Sequence, residues 1–454
     1  MNARPQAENG LSISLPALHA GQKAALRTLM PHRFMALRCG RRFGKTELAK
    51  AWIIQGLLKG EKCAWFSPQH RMATEVQAGL ALQLAPVLAA KGQNSLRLIT
   101  GGLLDFWTLE NPRAGRSRGY HRLVIDEAAF AKDITSVKAA SMPEIWEQSI
   151  KPTLYDYAGR ALVCSNSAGK NPDNFFYQIC TDPKFGFHEY HATTLDNPLL
   201  PQPVPGESQE QWQLRQAEYQ AELKRENAPL VYAQEYLAEF VDWSGEAFFS
   251  REKLLVDGQP VPYPTRCDAV FAVIDTASKT GTDNDGTAVT YFAIDKHSRV
   301  APVFILDWDI TQIEGASLEK WLPSVFAHLE VLARSCGARL GSLGAWIEDK
   351  NSGTILLQQA LKRNLNVRAI NLRLTEMGKD ERALDISGYV HQEKVKYTDR
   401  AFHKIAIYKN RSANHLLDQV ESFRMGDKKS KREDDLLDTF CYGIALSLGN
   451  TDGY

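Results

Sequence analysis

The stretch Arg38-Cys39-Gly40-Arg41-Arg42-Phe43-Gly44-Lys45-Thr46 is the first in the chain whose residue types and spacing could do chemistry. It follows an apolar hexapeptide, FMALRC (34–39), and opens an amphipathic stretch, Thr46–Leu58, so strand, loop and helix succeed one another. That is the setting of a phosphate-binding loop. Backbone N–H groups and the N-terminus of the following helix cradle the β- and γ-phosphates of a nucleotide such as ATP. Gly40, Arg41, Arg42, Phe43 and Gly44 would line the cradle, Lys45 would reach the phosphates and the Thr46 hydroxyl would hold Mg²⁺. Cys39 stands where the first glycine of GxxxxGK[ST] belongs, a departure from the common pattern.

A partner motif lies downstream. Leu123-Val124-Ile125-Asp126-Glu127-Ala128 reads as an apolar strand ending in two carboxylates. Asp126 would hold the Mg²⁺ through water, and Glu127 would orient and deprotonate the attacking water. Phosphoryl transfer also needs a cation on the charge that develops at the γ-phosphate. Arg41 and Arg42 sit in the loop itself, and Arg113, Arg116 and Arg118 lie just before the Asp126 strand. One of these could act in cis or across a subunit boundary, while a solvated or DNA-facing basic loop is the plain alternative. Gln22, upstream in HAGQ, could read the adenine edge or be a surface helix residue. Ser165-Asn166-Ser167, at the tip of the strand RALVCSNS, could sense the γ-phosphate and transmit its loss.

The second half carries a different constellation. Asp275 ends the apolar run AVFAVID, Glu348 and Asp349 end AWIED, and Asp434, Asp435 and Asp438 open the last helix. Asp435 and Asp438 are three apart, Asp434 and Asp438 four apart, so each pair can share one helix face. Any one of these acids alone reads as a strand end or a helix cap, and Asp434 is a good N-cap residue. Together, clustered carboxylates repel one another unless cations neutralise them. Two Mg²⁺ or Mn²⁺ ions about 3.5–4 Å apart, clamping a phosphodiester, would account for the set. Asp275, Asp349, Asp435 and Asp438 are the expected ligands, with Glu348 beside them in the reaction. Asp307 and Asp309, on a third strand, read as structural acids, and Asp283-Asn284-Asp285-Gly286 as a turn. Basic residues flank the acids: Lys379 with Arg382, and the run Arg424, Lys428, Lys429, Lys431, Arg432, which reads as a solvated face or a phosphate track. The histidines show no paired metal spacing.

These motifs need a scaffold, and the composition supports one. The chain has 454 residues, 44% hydrophobic and 24% charged, a globular balance that excludes a disordered or fibrous chain. Lys+Arg 54 against Asp+Glu 53 gives a net charge of +1, which excludes a histone-like body but leaves room for one basic channel. The seven cysteines form no CxxC pair and read as reduced, buried thiols of a cytoplasmic protein. MNARPQAENGLSIS has no apolar signal-peptide core, and no apolar run approaches the roughly 20 residues that span a bilayer. From 32 to 175, short apolar runs alternate with helical stretches, the pattern of a parallel sheet covered on both faces. The segment 197–262 is rich in Pro and Gln around a polar helix (208–225) and reads as a connector. From 268, DAVFAVIDTAS, GTAVTYFAID and PVFILDWDI read as a strand meander, followed by a helix (314–335), a strand (344–349) and a final helix (433–448). The expected organisation is α/β: a P-loop ATPase domain with a parallel sheet (1–196), a connecting subdomain (197–262) and an RNase H-like domain with a mixed sheet (263–454).

Taken in order, these residues resemble the large terminase subunit of tailed double-stranded DNA bacteriophages. CGRRFGKT (39–46) is similar to that family's deviant P-loop, VIDEA (124–128) to its magnesium and catalytic-glutamate motif, and SNS (165–167) to its coupling motif. QEYLAEFVDWSGEAFF (234–249) resembles the segment joining its two domains, and IDTAS (274–278), IEDKNSG (347–353) and DDLLD (434–438) its nuclease motifs. The resemblance covers nearly the whole chain. It implies a motor that hydrolyses ATP to drive double-stranded DNA into a procapsid, and a metal-dependent endonuclease that cuts concatemeric DNA as packaging starts and ends. It further implies a homo-oligomeric ring, expected to be a pentamer, on the portal protein, a small terminase subunit as partner, and work in the bacterial cytoplasm rather than in the mature virion. Arg41 matches the family's P-loop arginine, and Arg118 is the candidate finger reaching a neighbour's ATP. A DNA helicase or translocase would need a second RecA-like lobe with an arginine motif, and none is found after residue 200. A repair nuclease with a vestigial ATPase is opposed by the intact Lys45, Thr46, Asp126 and Glu127, and a non-enzymatic DNA scaffold by the neutral charge and two acidic centres.

Overall fold

A computed structural model describes residues 17–131, 141–243, 248–276, 286–312, 315–349, 352–425 and 433–449, together with Ile13 and Leu15. The chain divides into two compact units: Met1–Glu222 with Tyr232–Asp242, and Leu223–Val231 with Trp243–Tyr454. The segment 197–262 contributes to both, through a polar helix, Gln209–Glu226, and the stretch Tyr232–Asp242 that belongs to the first unit.

In the first unit, apolar runs bounded by turns become β1 (Phe34–Cys39), β2 (Lys62–Ser67), β3 (Leu88–Gly92), β4 (Ser95–Leu98), β5 (Leu103–Thr108), β6 (Arg122–Asp126), β7 (Arg160–Ser165) and β8 (Phe187–Ala192). They form one sheet in the order β3-β4-β5-β2-β6-β7-β1-β8. The sheet is parallel from β5 through β8, as alternating strands and helices require. Its other edge departs from the all-parallel expectation: β3, β4 and β5 run antiparallel. The connections between these three strands are too short for a crossover helix, so only hairpins can form. Helix α1 (Ala20–Leu29) and helix α2 (Lys45–Leu58) flank the sheet. Read from sequence as amphipathic, α2 instead buries Leu48, Ala49, Trp52, Ile53, Ile54 and Leu57 around much of its circumference. The parallel strands' upper ends, β1, β6 and β7, deliver the P-loop, Asp126 and Ser165 to one edge of the sheet, where open α/β sheets bind ligands.

The second unit holds a six-stranded mixed sheet in the order β13-β12-β9-β10-β11-β14, built from β9 (Ala269–Asp275), β10 (Thr287–Ile294), β11 (Val303–Thr311), β12 (Ser342–Ile347), β13 (Val367–Ala369) and β14 (Val395–Tyr397). β9, β10 and β11 form the expected antiparallel meander, while β12 joins β9 in parallel. Every residue of β9 is buried, which its unbroken apolar run anticipates for a central strand covered on both faces. The closing helix, Asp435–Leu448, packs against β9 and β10. Its approach is set by Gly443, where a Cβ would stand 2.1 Å from Phe292 Cζ, and by a 2.7 Å hydrogen bond between the Thr439 and Thr290 hydroxyls. That close seating brings the acidic first turn of the helix over the end of β9.

Among the described residues, no helix is long and apolar enough to cross a membrane.

Candidate functional site

The P-loop of the first unit is shaped by its backbone. Arg42 and Gly44 both take positive φ, 63° and 91°, which turns the chain back into α2. The glycine missing at Cys39 is replaced by the next residue. Cys39 is the last, fully buried residue of β1, where a side chain is welcome. At Gly40 a Cβ would lie 2.2 Å from Tyr236 O and 2.6 Å from Thr194 N, so that position tolerates no side chain. Burial pushes the Cys39 thiol up, far from thiolate chemistry. Phe43 is buried and meets the His19 ring edge-on, 5.2 Å between centroids.

Around this loop the predicted side chains converge. The Lys45 ammonium lies 2.8 Å from Glu127 Oε1 and donates to Asn166 Oδ1 at 2.7 Å. Burial alone would push its pKa down, but Glu127 and Asp126 more than reverse this and hold it above the ordinary lysine value. The Thr46 hydroxyl donates to Asp126 Oδ2 at 3.1 Å, the pairing expected of two oxygens that would share one Mg²⁺. Burial and the neighbouring Glu127 push Asp126 up to about 6, against the pull of Lys45. Cys164 supports Asp126 from below, its thiol 3.3 Å from Oδ1. Glu127 itself takes positive φ, 53°, a conformation that costs a non-glycine residue and turns its carboxylate toward Lys45 and the Ser165 hydroxyl.

The remaining candidates are placed as follows. Gln22 is buried rather than a surface residue: its amide donates to Gly44 O at 2.8 Å and accepts from His19 N at 2.9 Å, tying α1 to the P-loop. Arg42 is exposed, and its carbonyl accepts from Asn197. Arg116 donates to Ser149 Oγ at 3.0 Å, whereas Arg118 is more than half exposed, with Asp105 Oδ2 3.9 Å away. Arg41 donates through Nε to Glu235 Oε2. Sequence reading missed Glu235, which lies in QEYLAEF and only the folded chain brings to the P-loop. It is almost fully buried.

In the second unit, Asp275 is the centre of the acidic group. Burial first, then Asp438, Glu348 and Asp435, raise its pKa well above the ordinary carboxylate value. Three strands or helices far apart in sequence therefore do bring acids together. Of the two acids after β12, Glu348 faces Asp275, while Asp349 is exposed and accepts from Thr354 Oγ1 at 2.7 Å. Asp435 and Asp438 both face Asp275. Asp435 Oδ2 accepts from Gly286 N at 3.0 Å. Asp434 holds the N-cap position without a side-chain capping bond, its carboxylate paired instead with Lys379.

Two residues that sequence reading gave no role in the acidic group sit among the acids. Buried Arg382 lies 3.2 Å from Asp438 and donates to the Tyr442 hydroxyl, and that hydroxyl donates to Glu348 Oε1 at 3.1 Å. No three His, Cys, Asp or Glu side chains among the described residues surround one ion-sized point. The donor set is nonetheless all hard carboxylate oxygen, of the type that suits Mg²⁺ or Mn²⁺. Asp307 is a separate, structural acid, buried among His328, Lys404 and Arg400, and Asp309 Oδ1 accepts from its neighbour Ile310 N. Gly286 is described, but Asp283–Asp285 and the basic residues Lys428, Lys429, Lys431 and Arg432 lie outside the described residues.

Fold and sites define an α/β protein with a P-loop nucleotide-binding edge in one unit and a carboxylate centre on a mixed sheet in the other. Among solved structures, the large terminase of a thermophilic bacteriophage matches 95% of this chain and 99% of its own, with a TM-score of 0.63 at 12% identity. The same terminase in complex with ADP gives 0.63 at 12% identity, and in complex with ATP-γ-S 0.63 at 11%, each covering 94% of this chain and 99% of that one. The chain has the fold of a bacteriophage large terminase subunit. No protein-family model and no curated protein matches the sequence.

Proposed function

We propose that this chain is a large terminase subunit: an ATPase that drives double-stranded viral DNA into a procapsid, joined to a metal-dependent endonuclease that cuts concatemeric DNA at the start and end of packaging. The observation that carries the reading is Asp275 facing Glu348, Asp435 and Asp438, in a chain whose first unit sets Lys45 and Thr46 against Glu127 and Asp126. A helicase or a simple nuclease calls for only one of these centres. In the ATPase reaction (ATP and water to ADP and phosphate), the P-loop amides and Lys45 bind the phosphates and balance their charge. Thr46 and Asp126 would hold Mg²⁺, which would balance charge on the phosphates, and Glu127 would orient the attacking water and take its proton. Arg41 and Arg118 are the cations available to the γ-phosphate, the second from a neighbouring subunit in a ring.

In the endonuclease, Asp275, Glu348, Asp435 and Asp438 are the residues that would hold Mg²⁺ or Mn²⁺. Bound there, such ions supply Lewis-acid stabilisation of the charge that builds on a phosphodiester. Arg382 and Tyr442 orient Asp438 and Glu348. The expected partners are double-stranded DNA, a small terminase subunit, the portal of the procapsid and further copies of this chain, in the cytoplasm of an infected bacterium.

Two variants separate the centres. Glu127→Gln should lower ATP turnover by at least about 100-fold, the range of a lost general base, while sparing Mn²⁺-dependent plasmid cutting. Asp275→Asn should do the reverse. Full plasmid cutting by Asp275→Asn overturns the nuclease assignment, and full ATP turnover by Glu127→Gln overturns the ATPase assignment.

A further inference from the structure

The parallel strands of the first unit carry the P-loop and Asp126 at their upper ends, and a row of cations at their opposite ends. β2 opens with Lys62, β6 with Arg122 directly after His121, and β7 with Arg160; β1 follows His32 and Arg33, and His188 is the second residue of β8. These five strands are neighbours, in the order β2-β6-β7-β1-β8. Contacts make the row continuous. Lys62 N donates to His121 Nδ1 at 3.2 Å, and Arg122 stands beside Arg160 in the register of β6 with β7. Arg160 Nη2 donates to His32 O at 2.9 Å and to Met30 O, and Arg33 Nε donates to Gly159 O at 3.0 Å. The His32 and His188 rings stack with centroids 3.7 Å apart. Tyr155 and Tyr157 are exposed, and Tyr157 stacks on His121 at 3.9 Å with its hydroxyl 3.3 Å from Lys62 Nζ. Glu61 pairs with Arg122 at 2.6 Å, and exposed Asp156 precedes Tyr157. Among the described residues, no carboxylate forms an ion pair with Lys62, Arg33 or Arg160, whose partners are carbonyls and a phenol.

We propose that this row is a track for the sugar-phosphate backbone of double-stranded DNA, engaged without regard to sequence. The inference rests on the DNA-handling reading above and gives that reading a surface on the first unit, at the strand ends away from the nucleotide. The row is linear. Neighbouring strands lie about 4.8 Å apart, so five of them spread their cations over about 19 Å. One strand of duplex DNA presents about six phosphates over that length. A line of charge suits a polyanion, where a closed pocket would suit one small anion. The guanidiniums are also set in place beforehand. The carbonyls of Gly159, His32 and Met30 hold Arg33 and Arg160, so little side-chain freedom is left to lose on binding. Carbonyls orient a cation without neutralising it, as a carboxylate would. Lys, Arg and Tyr side chains are among those that bond phosphate oxygens and position a duplex without reading its bases. An acidic protein segment, with its carboxylates on flexible stems, would gain less from a rigid row of this length.

Fluorescence anisotropy of a short labelled duplex with the full-length chain tests the track, in EDTA so that nothing is cut and across a series of salt concentrations. Each phosphate contact contributes about 0.9 to the slope of log Kd against log salt. Lys62→Ala combined with Arg33→Gln should lower that slope by about 1.8 and weaken binding at least tenfold at low salt. Lys62→Ala alone removes an exposed side chain without touching the backbone bonds, and should lower the slope by about 0.9; it decides the matter if the double variant does not fold. Lys23→Ala combined with Lys91→Ala removes the same charge from exposed positions off the row, and should leave slope and affinity at their wild-type values. Duplexes of unrelated sequence should behave alike. An unchanged slope in the row variants overturns the proposal, as does an equal fall in the Lys23 and Lys91 control. So does a poly-glutamate peptide whose binding the row variants lose while their duplex binding is unchanged, a result that would mark the row as a site for an acidic protein. If the wild-type chain binds no duplex at all, the DNA-handling reading itself fails and the track with it, an outcome distinct from the others.

Discussion

Replacing Gly443 by alanine tests whether the closing helix positions the nuclease carboxylates. The added Cβ would stand 2.1 Å from Phe292 Cζ, and ordinary contact begins at 3.4 Å, so the two must part by about 1.3 Å. Phe292 cannot simply swing aside: it is fully buried and stacked on Phe271 with ring centroids 5.2 Å apart. The helix must therefore move, and it carries Asp438 and Asp435, about one and a half and two turns away, on the same rigid element. Overpacking of this size costs about 1–3 kcal/mol. For a unit of this length that is a fall in Tm of roughly 2–12 °C. Displacing reacting groups by about 1 Å costs on the order of 100-fold in rate. Gly443→Ala should therefore cut plasmid about 100-fold more slowly with Mn²⁺ while its ATPase rate stays within twofold. Calorimetry reads the stability and gel assays the cutting. A Gly443→Ala chain that is folded and cuts DNA at the wild-type rate refutes the claim that this packing sets the acid geometry.

Two further outcomes follow from single residues. Asp307 is buried, and although burial opposes it, the His328 hydrogen bond and the Lys404 ammonium hold its carboxyl down to about 2, below the 3.8 of an ordinary aspartate. Its contribution is complete above the ordinary value and is lost as pH falls through about 2, amounting to about 2 kcal/mol by linkage. Asp307→Asn should be less stable than wild type to urea near pH 7 and about equally stable near pH 2; an unchanged gap at low pH refutes the sign. Arg118, exposed and only loosely held by Asp105, should act in trans: mixing Arg118→Ala with Glu127→Gln subunits in an assembled ring should restore part of the ATPase activity that each lacks alone. No recovery would mean that Arg118 does not serve a neighbour's site.

Local features were legible from the residues in order. FMALRC, LVID and ALVCS are apolar runs that can only be buried strands, and each was found where its pattern put it, as β1, β6 and β7. The same holds for the meander β9 to β11 and for carboxylates at the ends of the Asp126 and Asp275 strands. Such features depend on a repeat of two or 3.6 residues and on side-chain type, both of which are written along the chain. The antiparallel edge β3 to β5 was not legible, because LAAKG and SLRL are too short and too polar to mark strands without their partners.

What the fold alone decided is which residues meet. Glu348 rather than Asp349 faces Asp275 because of how the chain leaves β12: Glu348 N still bonds to Ile274 O, beside Asp275, whereas Asp349 lies one residue further on and is exposed. The parallel register of β12 with β9 slips between Ser342 and Ala345, beside Gly344 at φ 87°, and no count along the sequence anticipates that slip. Gly40 takes the role expected of the residue before it only because Tyr236 and Thr194 close over it. Arg41 and Glu235 are 194 residues apart, and Tyr442 and Glu348 are 94 apart. Periodicity says how each segment is shaped, but partners at such separations are chosen by how strands order themselves in a sheet and by how closely helices pack upon it.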